Sequence, residues 1–206
     1  MTVPEGAAAV FGAELSRAVA YAEILATRGV EWGVIGPREV PRLWDRHLMN
    51  CAVVAELVDS RCGVLADIGS GAGLPGVVLA LVLPEVSVTL IEPLERRARF
   101  LAECVDELKL TNASVLRGRA EDFAGQVAAD VVTARAVAPL ERLAPLAVGV
   151  ARKRGMVLAI KGSGAAEELE HARPVLRRIG ARSAEVLRVG HGKVSPATTV
   201  VRFFAR

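Results

Sequence analysis

The stretch Leu65-Ala66-Asp67-Ile68-Gly69-Ser70-Gly71-Ala72-Gly73-Leu74-Pro75-Gly76 decides the fold. Its opening residues close a short apolar run, 64–68, with the length and composition of a buried strand. Three glycines at spacing two follow, and the segment 75–83 then reads as a helix. Glycine has no Cβ, so a turn built this way lets the backbone approach a ligand closely. In open parallel sheets such ligands lie outside the carboxyl ends of the strands.

Outward from this turn the chain alternates. Further strands are expected at 86–91, 113–116, 131–133, 156–160, 184–189 and 198–204, and further helices at 94–109, 139–152 and 165–179. Strand alternating with helix implies a mostly parallel sheet covered on both faces. The last two strands are separated only by a short loop around 190–196. A parallel crossover needs about a dozen residues or more, so the final strand is expected to run antiparallel. The result is an α/β Rossmann-like sheet of seven strands. Upstream, residues 1–60 read as a helical extension, with helices over 7–26 and 42–58 and Gly29 as a stop for the first; residues 61–206 form the Rossmann-like domain.

Composition narrows the classes. Of 206 residues, 52% are hydrophobic and 24% charged, which excludes disorder as the main state. Cys51, Cys62 and Cys104 form no C-x-x-C pair, so neither a disulfide scaffold nor a cysteine zinc site is expected, and His47, His171 and His191 are too scattered to form a metal cluster. No secretory pattern opens the chain, and the apolar run 77–83 is too short to span a bilayer, so a cytoplasmic location is expected. The formal net charge of +3 permits an anionic partner such as RNA.

The glycine turn has two readings. Gly71, Gly73 and Gly76 satisfy the G-x-G-x-x-G dinucleotide pattern, with Glu92 about 20 residues on, which would make the chain an NAD-dependent oxidoreductase. A methyltransferase keeps the same strand, turn and acid. Asp67 entering the turn favours the second reading, because a carboxylate suits a cationic methionine moiety and would repel a pyrophosphate. About 60 residues also precede this strand, whereas a dinucleotide fold usually opens with it. Glu92 ends the second strand, where a carboxylate can accept two hydrogen bonds from a ribose diol, with an ion pair to Arg96 or Arg97 as the alternative. After the third strand, Ala120 and Glu121 are placed to border an adenine, unless Glu121 or Asp122 simply caps a helix.

The segments RLWDRHLMNC, LADIGSGAGLPG, IEPLERRARFL, RGRAEDF, TARAVAPL and AIKG occur in this order between Arg38 and Gly162. Together they resemble the bacterial 16S ribosomal RNA guanine-N7 methyltransferases of the RsmG type, also called glucose-inhibited division protein B. The resemblance implies a class I methyltransferase fold and S-adenosylmethionine as donor. As acceptor it implies a guanine in the decoding-region loop of the small ribosomal subunit. It carries cofactor contacts onto Gly69, Leu74, Ala120, Glu121 and Arg135, with Glu92 on the ribose; Ser70, Gly71 and Gly73 belong to the same turn. Three departures stand out. Many members have W-N-x-x-x-N-L-T where this chain has Trp32-Gly33-Val34-Ile35-Gly36 without either asparagine; many have Ser where it has Ala134; and their HxxDS-like stretch is His47-Leu48-Met49-Asn50-Cys51 here.

Guanine N7 has an in-plane lone pair and is unprotonated at neutral pH, so attack on a sulfonium methyl needs no general base. The chain has no N-P-P-Y or D-P-P-Y segment of the kind used for exocyclic amines and no Pro-Cys nucleophile of the carbon-5 cytosine type. Arg135, at the carboxyl edge, is expected at the junction of cofactor and substrate, with an ion pair to Asp130 or Asp67 as its alternative. Lys161 ends the fifth strand on the same edge and reads as a phosphate contact or a solvated lysine. His47 reads as structural or as facing the cleft. Arg152-Lys153-Arg154 reads as RNA-binding or as a solvated helix face.

Overall fold

The computed structural model describes residues 2–206. Seven strands form one sheet: β1 (Val64–Ile68), β2 (Ser87–Glu92), β3 (Ala113–Arg117), β4 (Ala129–Arg135), β5 (Ala151–Lys161), β6 (Arg182–Val189) and β7 (Thr198–Phe204). Their order is β3-β2-β1-β4-β5-β7-β6. β7 runs antiparallel to both β5 and β6, and the β1, β2, β3, β4 and β5 pairings are parallel. This is the expected α/β Rossmann-like architecture with its last strand reversed.

Alternate strand residues face opposite layers. Leu65, Val88, Leu90 and Val131 belong to one core with the N-terminal helices α1 (Ala7–Phe11), α2 (Leu15–Ile24) and α3 (Met49–Ala52), and with α4 (Gly76–Val82) and α5 (Glu95–Glu107). Ala66, Ile91, Val132 and Ala134 face the second core, under α6 (Leu140–Val150) and α7 (Ala165–Arg178). Period two in the strands thus supplies both layers at once. α4 is buried on all but its last residue, as a helix wedged between sheet and N-terminal helices must be.

Three expectations are corrected. The first N-terminal helix does not stop at Gly29; a π segment, Leu25–Gly29, carries it on to a turn at Gly33 with φ of 62°. The second is no regular helix over 42–58 but a relay of 3-10, π, α and 3-10 segments from Pro37 to Leu57. Arg152 does not end a helix. It lies in β5, where a bulge accommodates the polar Arg152-Lys153-Arg154 run. Among the described residues no helix is long and apolar enough to cross a membrane.

Candidate active site

The turn after β1 is a chain of left-handed glycines. Gly69, Gly71 and Gly73 have φ of 64°, 56° and 90°, a region that side-chain-bearing residues avoid. Space also restricts two of them. A Cβ on Gly73 would lie 2.5 Å from the Tyr21 hydroxyl and 2.5 Å from Val77 Cγ2; one on Gly69 would lie 2.8 Å from Val137. Over Gly71 the only neighbour within 4 Å is the Gly69 carbonyl at 3.7 Å, so that side is open. Gly69 N and Ser70 N both donate to Ile91 O of β2, and the Tyr21 hydroxyl donates to Ala72 O, pinning the turn from the N-terminal layer.

Glu92 is buried at the end of β2. Its Oε2 accepts from Gly71 N and its Oε1 from Leu94 N, both at 2.9 Å. The alternative pairing with Arg96 or Arg97 does not occur. Each carboxylate oxygen keeps a further acceptor site in a fixed orientation. Asp67 lies lower. It is fully buried, with Oδ1 accepting from Thr133 Oγ1 at 2.8 Å and Oδ2 from Gly76 N at 3.1 Å, while Ser70 Oγ donates to its carbonyl. Burial pushes its carboxyl up to about 6 despite these donors. Asp67 therefore braces the turn from beneath, across the register pair Asp67–Thr133 and to the first residue of α4. Leu74 is partly buried and packs against the same core. After β3, a 3-10 turn at Ala120–Phe123 is fixed by Asp122, whose carboxylate accepts from Arg119 N at 2.8 Å; Ala120 is buried and Glu121 exposed.

Arg135 ends β4 at the same edge. The ion pair with Asp130 or Asp67 is absent: Asp130 pairs with Arg152, and Asp67 is occupied as described. Arg135 instead donates to Cys51 Sγ at 3.2 Å, to Arg46 O at 3.1 Å and to His47 Nδ1 at 2.9 Å. Since the guanidinium can only donate, His47 Nδ1 accepts and its Nε2 carries the proton, donating to Glu39 Oε2 at 2.7 Å. Burial and the adjacent guanidinium both hold the His47 pKa below its ordinary value. The sequence leaves His47 between two roles and does not single out Cys51 as an anchor of Arg135, although the HLMNC segment holds both, nor Glu39, which holds His47 from outside that segment. Lys161 is not the solvated lysine of the second expectation. Its ammonium donates to Ala138 O at 2.9 Å and pairs with Glu168 at 2.7 Å, and Glu168 also accepts from Leu140 N at the start of α6. The three buried cysteines are free, and no group of three metal-ligating side chains occurs among the described residues.

A family model described as rRNA small subunit methyltransferase G, GidB, matches residues 14–194. The chain belongs to this family. Relatives carrying the name ribosomal RNA small subunit methyltransferase G include one from Thermobifida fusca, 59% identical over 97% of this chain and 84% of its own length. Another, from Streptomyces coelicolor, is 54% identical over the same shares. Among solved structures, a SAM dependent methyltransferase from Aquifex aeolicus superimposes with a TM-score of 0.60, covering 84% of this chain and 100% of that one at 21% identity. TYW2 of M. jannaschii in complex with AdoMet gives 0.55, covering 72% and 71% at 19% identity. The family is one of ribosomal RNA methyltransferases, which decides between the two readings of the glycine turn.

Proposed function

We propose that the chain methylates N7 of one guanine in 16S ribosomal RNA by direct in-line displacement from S-adenosylmethionine. The carrying observation is the left-handed glycine turn tied through Gly71 N to the buried Glu92. It offers an open backbone cradle over Gly71 beside a carboxylate already oriented by two amides. Residues of this kind fit an adenosyl donor: Glu92 for the ribose diol, the capped Ala120–Glu121 turn for the adenine edge, and Gly69, Ser70, Gly71, Gly73 and Leu74 for the backbone wall. Asp67 takes a supporting part, since it is fully buried beneath the turn with its oxygens turned to Thr133 and Gly76.

When bound, the donor supplies an already activated methyl group. The chain's task is alignment, which can supply about 7–11 kcal/mol. Arg135 is held by three acceptors and pairs with no carboxylate among the described residues, so its charge is available to a donor carboxylate, to a phosphate or to guanine O6. It does not stabilise the positive charge that moves onto the purine. Lys161 acts by positioning at one remove, locking the 138–140 segment that follows β4.

Mass spectrometry of ribosomal RNA from cells with and without the gene tests the reading. One 7-methylguanosine should disappear with the gene; an unchanged nucleoside profile, or loss of a different methylated base, would sink it. Calorimetry should show binding of S-adenosylmethionine and none of a nicotinamide dinucleotide. Arg135→Ala should lower the rate of transfer by about 100-fold or more in a chain that still folds.

A further inference from the structure

The end of the sheet opposite the glycine turn carries a second feature. Along β4 and β5 the register pairs Ala129 with Ala151 and then Val131 with Met156, leaving three extra residues on β5. The bulged residues are Arg152, Lys153 and Arg154, and Arg154 sits in the left-handed region with φ of 62°. Along β6 and β7 the pairs are Arg182 with Phe204 and then Glu185 with Arg202, one residue more on β6. Ser183 there has φ of 52°. Two bulges and two strained non-glycine residues thus meet at one corner. Bulges re-aim side chains, and strain of this kind persists where surrounding structure enforces it.

The side chains so placed line one cavity of ≈ 260 Å³: Lys153, Arg154, Arg182 and Arg206, with Ala205. All four cations are exposed. None pairs with an Asp or Glu side chain among the described residues. Arg152, the remaining cation of the run, is neutralised by Asp130, and Arg202 by Glu185. The main-chain oxygen of Arg206 accepts from Arg154 N at 3.4 Å. Like charges gathered around a hollow repel one another, and an anion between them removes that cost. The cluster lies on β5 about 20 Å from Lys161, taking about 3.3 Å per residue from Gly155, and beside the edge strand β6.

From this we infer that the corner formed by Lys153, Arg154, Arg182 and Arg206 is a second RNA contact, gripping the phosphodiester backbone of the ribosomal RNA away from the methylated base. The inference rests on the proposed RNA substrate and adds the surface that holds it. Arginine and lysine around a shallow cavity match phosphate oxygens, and contacts of this type set register without reading sequence. An acceptor as large as a ribosomal subunit can touch both ends of the sheet at once.

The test compares the wild type with a Lys153→Gln, Arg154→Asn, Arg182→Gln triple variant; asparagine at 154 tolerates the left-handed backbone. Binding of purified small subunits is followed by filter retention across a salt titration. The variant should bind about 10-fold more weakly, and its dependence of log affinity on log salt should be shallower by about 1 to 2, one to two phosphate contacts. S-adenosylmethionine affinity and melting temperature should match the wild type. An Arg182→Lys variant should retain the wild-type slope. Unchanged affinity and slope in the triple variant would overturn the inference. So would stabilisation by inorganic phosphate that the variant abolishes while RNA binding stays intact, which would mark a small-anion site. Because the readout is binding, a wild type that binds subunits and transfers no methyl group would defeat the proposed function and leave this measurement able to judge the corner.

Discussion

Gly71 and Gly73 stand two residues apart in the same turn and answer to different constraints. Gly73→Ala must push a methyl group into Tyr21 and Val77 at 2.5 Å and hold alanine at φ of 90°. It should cost about 3 kcal/mol or more, seen as a large fall in melting temperature. Gly71→Ala meets no such wall, so only its φ of 56° is penalised, about 1–2 kcal/mol. Its methyl would fill the open side of the cradle, and donor affinity by calorimetry should fall about 10-fold or more. Equal affinity would remove Gly71 from the donor site. Asp67 gives a pH test with a definite sign. Its carboxyl is raised from 3.8 to about 6 in the folded chain, so between those values the native state holds a proton that the unfolded state releases. Its contribution to stability is therefore greatest below about pH 4 and is lost as pH rises to about 6, by about 3 kcal/mol in all. Asp67→Asn cannot ionise, and asparagine can satisfy only one of the two donors that Asp67 accepts from. The stability lost in the variant should shrink by about 3 kcal/mol between about pH 4 and pH 7 in urea denaturation. Parallel pH profiles for the two proteins would contradict this.

The start of α6 shows why some elements escape the sequence. Its first amide, Leu140 N, is satisfied by Glu168 of α7, a residue 28 positions away, and Lys161 of β5 locks the same carboxylate. A helix needs partners for its first N–H groups, but nothing near Leu140 in the chain announces where this one comes from. Lys161→Met should therefore lower unfolding free energy by about 2 kcal/mol, since it strips a mostly buried carboxylate of its cation. Glu168→Gln in the same background should recover part of that loss. A stable Lys161→Met protein with impaired RNA binding would instead support the phosphate role. What was legible was local: the strand–glycine–helix turn, Glu92 at the end of β2, the alternation of strand and helix and the reversal forced by a short last loop. What was not legible depends on distant partners. The Glu39–His47–Arg135 chain joins residues 8 and 88 positions apart, the β5 bulge answers to its neighbour β4, and the mixed 3-10 and π turns of the N-terminal layer have no simple 3.6-residue pattern to display.

At the scale of the molecule, the division into a helical extension over 1–60 and a sheet domain over 61–206 describes the chain order better than the packing. Tyr21, Leu25, Leu43, Leu48 and Val54 share one continuous core with Leu65, Leu79, Leu90 and Phe100, and each of these is fully buried. Trp44 stands edge-on to Phe11, and Trp32 lies 6.0 Å from Phe100 of α5. Pulling the N-terminal layer away would bare the outer face of α4 and the part of the sheet beside β6 and β7, together with the Tyr21 contact that closes the glycine turn. Burial on that scale couples the layers, so neither can melt while the other stays native. The placement of the two tryptophans makes this measurable. Both lie before residue 60, so their fluorescence reports the N-terminal layer, whereas far-ultraviolet circular dichroism is dominated by the helices and sheet of the remainder. In a denaturant titration the two signals should trace one transition with the same midpoint, and saturating S-adenosylmethionine should move both by the same amount, because a ligand of the native state stabilises the whole cooperative unit. Fluorescence changing at a lower midpoint than dichroism would mean that the helical layer is a separate unit docked on an independently stable sheet, with the glycine turn closed only when it docks.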